Sequence, residues 1–91
     1  MKKLEFRASA IKDMRSLDAR FNEAILLAFA ILSETGSGDV KPISGSRGCY
    51  RLRVGGYRAE FTMSDSVIDV YLIEKRGDAY GKKSYKRRKA A

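Results

Sequence analysis

Cys49-Tyr50-Arg51-Leu52-Arg53-Val54-Gly55-Gly56-Tyr57-Arg58-Ala59-Glu60-Phe61-Thr62-Met63 holds two alternating runs of apolar and polar residues separated by two glycines. Successive side chains of a strand point to opposite faces, so the alternation marks strands with one buried face. Tyr50, Leu52 and Val54 fall on one side, Arg51 and Arg53 on the other. A Gly-Gly pair between such runs predicts a hairpin, because tight primed turns need positive φ. With Val54 opposite Tyr57, Arg53 stands opposite Arg58 and Arg51 opposite Glu60. A turn at Ser64-Asp65 and a third strand, Val67 to Ile73, complete a meander in which Phe61 meets Ile68, Ala59 meets Val70 and Tyr57 meets Leu72. The same register puts Tyr71 beside Arg58 on the polar face. Single arginines on an open strand face are ordinary solubilising residues. Like charges directly opposite one another are unfavourable, so three arginines converging toward Arg76 and Tyr80 suit a bound anion.

Ninety-one residues make one small domain. A single cysteine, Cys49, rules out an internal disulfide. The longest apolar run, Ala24 to Leu32, is about half a membrane span, and no apolar segment follows the basic N-terminus as a signal peptide requires. A cytoplasmic protein with no membrane partner is expected. Histidine is absent and no acidic or cysteine ligands cluster, so neither a structural zinc nor a two-metal nuclease site is expected.

The net charge of +8 is concentrated at the C-terminal end. From Lys75 onward eight basic residues, Lys75, Arg76, Lys82, Lys83, Lys86, Arg87, Arg88 and Lys89, face one acid, Asp78, while the rest of the chain is nearly balanced. Such a segment is the footprint of a polyanion partner. Composition leaves RNA, DNA, a membrane surface and an acidic protein open, and a merely solubilising tail as well. Tyr80 and Tyr85, interleaved with the cations, add base-stacking surfaces and favour nucleic acid.

Upstream, Leu4 and Phe6 alternate with charged residues as a short first strand. Ser9 caps a short amphipathic helix with Ile11, Met14 and Leu17 inward and Lys12, Asp13, Arg15 and Ser16 outward. Asp18 caps a longer helix, Ala19 to Glu34, ended at Gly36. Its apolar residues run nearly around it, with Leu26, Leu27 and Ala30 beyond the main face. Either the first helix and the sheet cover them, or they form a docking surface for another chain. Thr35 to Gly48 reads as a loop tacked to the core by Val40 and Ile43. Residues 1–80 form the domain, and 81–91 form a basic tail without apolar periodicity, disordered when free. The fold class is α+β, a small antiparallel sheet on an N-terminal helical hairpin, in the order β-α-α-β-β-β.

This order and three stretches of sequence, Lys41-Pro42-Ile43-Ser44-Gly45, Cys49 to Arg58 and Arg76-Gly77-Asp78-Ala79-Tyr80, resemble the RelE/ParE superfamily of type II toxin–antitoxin toxins over residues 2–80. In its RelE-like branch the resemblance implies a ribosome-dependent endoribonuclease that cuts mRNA without a metal or other cofactor. It places Arg51, Arg53, Arg58, Arg76 and Tyr80 in the cleft, and it implies a cognate antitoxin, which the surface at Leu26, Leu27 and Ala30 would receive. Arginines 51 and 53 stand where the best-known member has lysines. Guanidinium groups hold two phosphate oxygens and keep their charge, so they suit the developing phosphorane. Tyr80 would stack on a base or take part in proton transfer. Glu60 is a weaker candidate for the base, with a structural ion pair as its other role. The ParE-like alternative is a toxin of the same fold that binds and inhibits DNA gyrase without chemistry of its own.

Overall fold

The computed structural model describes residues 1–75 and 82–90, leaving the side chains of Lys82 and Lys83 undescribed. In chain order the elements are β1 (Lys3–Phe6), α1 (Ala8–Arg15), α2 (Ala19–Thr35), β2 (Val40–Pro42), β3 (Cys49–Val54), β4 (Tyr57–Met63), β5 (Val67–Lys75) and α3 (Lys82–Ala90). The strands form one sheet in the order β1-β5-β4-β3-β2.

The β3–β4 hairpin has the expected register: Val54 pairs with Tyr57, Arg53 with Arg58 and Arg51 with Glu60. Its turn needs the left-handed region only at Gly55, where φ is 59°. The α2 boundaries also match. Asp18 accepts from the Arg20 amide at 3.1 Å, and Gly36 at φ 77° ends the helix.

The α+β class stands, with three corrections to the sheet. It is mixed, because β1 runs parallel to β5, pairing Leu4 with Ile68 and Phe6 with Val70. Part of the Thr35 to Gly48 loop is a strand, β2, at the opposite edge, where Pro42 is tolerated because an edge strand need not donate on its outer side. The β4–β5 register is displaced from the expected one. Met63, not Phe61, pairs with Ile68, and Phe61 pairs with Val70. A bulge follows: Glu60 pairs with Leu72 and Ala59 with Ile73, so Tyr71 is the extra residue. The bulge turns Ile73 onto the core face and leaves Tyr71 and Leu72 together on the other, with Cys49 and Ile43.

The main core lies between the sheet and the two N-terminal helices. Phe29 of α2 sits at its centre, its ring edge-on to Phe6 at 5.7 Å and to Phe61 at 5.4 Å. Ile25, Leu52, Ile68 and Val70 close around it, each at most 1% exposed.

The first helix differs from its expected orientation. Arg7 holds the N-cap position without a side-chain cap bond, and Ser9 donates instead to the Tyr71 carbonyl at 2.8 Å. Asp13, expected to face outward, is buried, and Ile11 is 42% exposed. The cause is the edge of β5. β1 pairs with it only as far as Val70, and beyond that point α1 supplies the partners. The Ser9 hydroxyl meets the Tyr71 carbonyl, and the Asp13 carboxylate accepts the Ile73 amide at 3.0 Å. Buried backbone groups need such partners, and this need overrides the helix's own polarity pattern.

Residues 82–90, expected to be disordered in the free protein, form α3. This helix has no apolar stripe. Its contacts are polar: Ser84 is 3% exposed and donates to Glu60, Arg87 binds Asp13, and Arg88 reaches Glu60 at 3.4 Å.

Candidate nucleic-acid interface

Strand alternation puts Arg51 and Arg53 of β3 and Arg58 and Glu60 of β4 on the sheet face away from the main core. α3 lies on this face, bringing Arg88 to the same place. The resulting cleft, about 310 Å³, is lined by Pro42, Ile43, Ser44, Arg51, Arg58 and Arg88. A shallower hollow of about 230 Å³ adjoins it through Arg88, with Gly45, Ser46, Tyr85 and Lys89 as its other walls. Tyr85 is 59% exposed there.

The three cleft arginines are not equivalent. Arg51 is half-buried, and its buried Nη1 has no hydrogen-bond partner among the described residues. A buried cationic donor left in this state gains most from an incoming anion. Arg58 is buried and lies between two carboxylates. Its Nη2 binds Glu60, and its Nε is 3.9 Å from Glu74, its cross-strand neighbour. Arg88 spans Glu60 and Ser84. Arg53, opposite Arg58 in the hairpin, is exposed and outside the cleft lining.

Behind this wall is a buried polar network that the sequence reading only touches. Glu60 is fully buried, and its Oε1 accepts from the Tyr71 hydroxyl at 2.8 Å and from Arg88, its Oε2 from Arg58 and Ser84. The expected register puts Tyr71 beside Arg58; the displaced register, with Phe61 opposite Val70, sets it against Glu60 instead. Burial foremost, then the hydrogen bond to the Glu60 carboxylate and its negative charge, raises the Tyr71 pKa well above the ordinary phenol value. The group remains a hydrogen-bond donor. Glu60 itself was legible as the cross-strand neighbour of Arg51, but its ion pairs are with Arg58 and Arg88.

The remaining candidates are scattered. Lys75 ends β5 and is exposed, as are Lys86 and Lys89, whereas Arg87 turns away from the cleft onto Asp13. On α2, Leu26 and Leu27 are 42% and 62% exposed, Ala30 is half-buried, and Ile31 adds a further exposed apolar side chain. Arg76, Tyr80 and the side chains of Lys82 and Lys83 lie outside the described residues. Among the described residues no group of three or more His, Cys, Asp or Glu side chains is placed to hold a metal ion, and no helix is long and apolar enough to cross a membrane.

A five-stranded sheet with a helical pair on one face and an arginine-lined cleft on the other, beneath a C-terminal helix, is a RelE-like fold. A free-state, doubly substituted RelE toxin from E. coli matches with a TM-score of 0.78 and 24% identity, over 98% of this chain and 95% of that one. The toxin–antitoxin complex RelB-RelE from Methanococcus jannaschii matches with a TM-score of 0.71 and 24% identity, over 84% and 94% of the two chains. The intact E. coli RelBE complex gives 0.67 and 24%, over 82% and 96%. No family model and no curated protein sequence matches the chain.

Proposed function

We propose that this chain is the toxin of a type II toxin–antitoxin module and a metal-independent endoribonuclease that cuts mRNA on the ribosome in the cytoplasm. The observation that carries the reading is the cleft in which Arg51, its Nη1 unpartnered among the described residues, stands with Arg58 and Arg88. The likeness to RelE toxins supports it. In the reaction the 2′-hydroxyl attacks the adjacent phosphorus. Its oxygen forms a bond to phosphorus as the bond to the 5′-oxygen breaks; one proton leaves the 2′-oxygen and one is delivered to the leaving oxygen. The products are a 2′,3′-cyclic phosphate and a 5′-hydroxyl. Arginine suits the dianionic phosphorane between these states, because a planar guanidinium places two donors on two oxygens without losing its charge. Arg51 and Arg58 take this role, with Arg53 adding charge from outside the cleft lining, Arg76 assisting and Tyr80 stacking on a base or moving a proton.

The basic surface of α3, Lys86 and Lys89 foremost, adds salt-dependent affinity for ribosomal RNA. Lys75, Lys82 and Lys83 contribute their charge to the same affinity. The exposed Leu26 and Leu27 of α2, with the half-buried Ala30 beside them, are the seat of the antitoxin, whose amphipathic helix would cover them.

Primer extension on an mRNA in programmed ribosomes tests the reading, with wild type, Arg51→Ala, Arg58→Ala and Tyr80→Phe side by side and a ribosome-free control. Ribosome-dependent cuts that weaken in the variants are expected. Intact mRNA throughout overturns the reading, and inhibition of DNA supercoiling would then establish the gyrase alternative.

A further inference from the structure

We propose that Glu60 is a positioning residue of the cleft: seated on Tyr71, its carboxylate fixes the Arg58 guanidinium in place and does not itself take a proton from the substrate. The inference rests on the nuclease reading above. Three observations carry it. Glu60 is fully buried and is not among the residues lining the cleft, so a bound phosphate meets Arg58 and not the acid behind it. Its oxygens accept from Tyr71, Arg58, Ser84 and Arg88. These four donors occupy both oxygens of the carboxylate, whereas a general base must reach the proton it removes. Finally, Arg58 has its Nη2 on Glu60 and its Nε facing Glu74, so two carboxylates define its position.

What the arrangement achieves is preorganisation. A free arginine loses rotamer freedom when it closes on a phosphate. Arg58 has lost that freedom already, during folding, and the substrate meets a cation whose place is set. Tyr71 keeps Glu60 in turn from rotating, through a bond of 2.8 Å. The register makes this possible: with Phe61 opposite Val70, strand alternation puts Tyr71 on the side of the sheet that holds Glu60. Glu60 thus acts on the reaction through Arg58.

Two measurements on wild type, Glu60→Gln and Tyr71→Phe test the proposal. The first is guanidinium NMR with 15N-labelled arginine. Wild type is expected to show slowed rotation and resolved Nη protons for Arg58, and both variants to lose them. Equal Arg58 mobility in wild type and Glu60→Gln would overturn the proposal. The second is single-turnover mRNA cleavage on programmed ribosomes across pH. Rates at least tenfold lower for Glu60→Gln and several-fold lower for Tyr71→Phe are expected, with the shape of the pH profile unchanged. Loss of a limb of that profile in Glu60→Gln alone would make Glu60 the base and overturn the proposal. A wild type that cuts nothing but has a slowed Arg58, released in both variants, sustains the anchoring and refutes the nuclease reading. Should Glu60→Gln fail to fold, Tyr71→Phe carries both measurements, because it leaves the ion pair in place and removes only the bond behind it.

Discussion

Replacing Tyr71 by Phe removes one oxygen from a site where the rest of the ring is fully packed, so it isolates a single hydrogen bond. The ring is 1% exposed, and its hydroxyl donates to a carboxylate that is 0% exposed. A hydrogen bond to a charged group contributes about 1.5–3 kcal/mol. Glu60 keeps Arg58, Ser84 and Arg88 as donors in the variant, which limits the loss to about 1.5–2.5 kcal/mol. In a domain of this size each kcal/mol moves the melting temperature by about 4–8 °C, so Tyr71→Phe should melt about 6–20 °C below wild type. The cost should also depend on pH. Tyr71 has its pKa raised in the folded protein, while in the unfolded chain it ionises near its reference value of about 10. Above that pH the unfolded state releases a proton that the folded state retains, and wild-type stability falls. The slope from this residue approaches 1.4 kcal/mol per pH unit, roughly, and the Tyr71→Phe variant has none of it. The gap between the proteins is therefore full at pH 7 and narrows above pH 10. Urea titrations at pH 7, 9.5 and 10.5 would measure it. A gap below about 0.5 kcal/mol at pH 7, or one that widens in alkali, would refute the buried donor.

Asp13→Ala removes the acceptor of the Ile73 amide and the partner of Arg87, and should cost about 2–4 kcal/mol in urea unfolding; Asp13→Asn, which retains the acceptor, should cost less. Arg51→Ala deletes a group whose Nη1 has no partner among the described residues, so folding stability should change by less than about 1 kcal/mol while ribosome-dependent cleavage falls at least tenfold in primer extension. Leu27→Glu, on a side chain 62% exposed, should abolish antitoxin capture in a pull-down and leave mRNA cleavage intact.

The parts of the fold legible in the sequence are those fixed by local chemistry. Gly55-Gly56 sets the hairpin register, and Asp18 and Gly36 bound α2. The hairpin register alone placed Arg51, Arg58 and Glu60 on one face. The bulge was not legible, because Tyr71, Leu72 and Ile73 are apolar in succession and either parity gives the strand an apolar face. Asp13 misled for a different reason. Its burial answers an amide 60 residues away, which no helical periodicity can register. The docking of α3 escaped as well, since it uses carboxylates of β4 and α1 in place of an apolar stripe. Arg88 was legible as a member of a basic tail, and its place in the cleft follows from that docking.

The parallel pairing of β1 with β5 has a consequence for how the protein comes into being. Arg7 meets Asp69, Ser9 meets Tyr71 and Arg87 meets Asp13 across 62, 62 and 74 residues of sequence. A chain made from its N-terminus holds β1 and α1 in waiting, their apolar faces open, until β5 has left the ribosomal tunnel. Closing so long a loop costs entropy before any contact repays it, and pairings of this kind fold slowly. The arginine cleft is therefore among the last features to assemble. During that interval α2, whose backbone hydrogen bonds are local, already presents its apolar face, so a partner that recognises α2 can engage the nascent chain before the cleft exists.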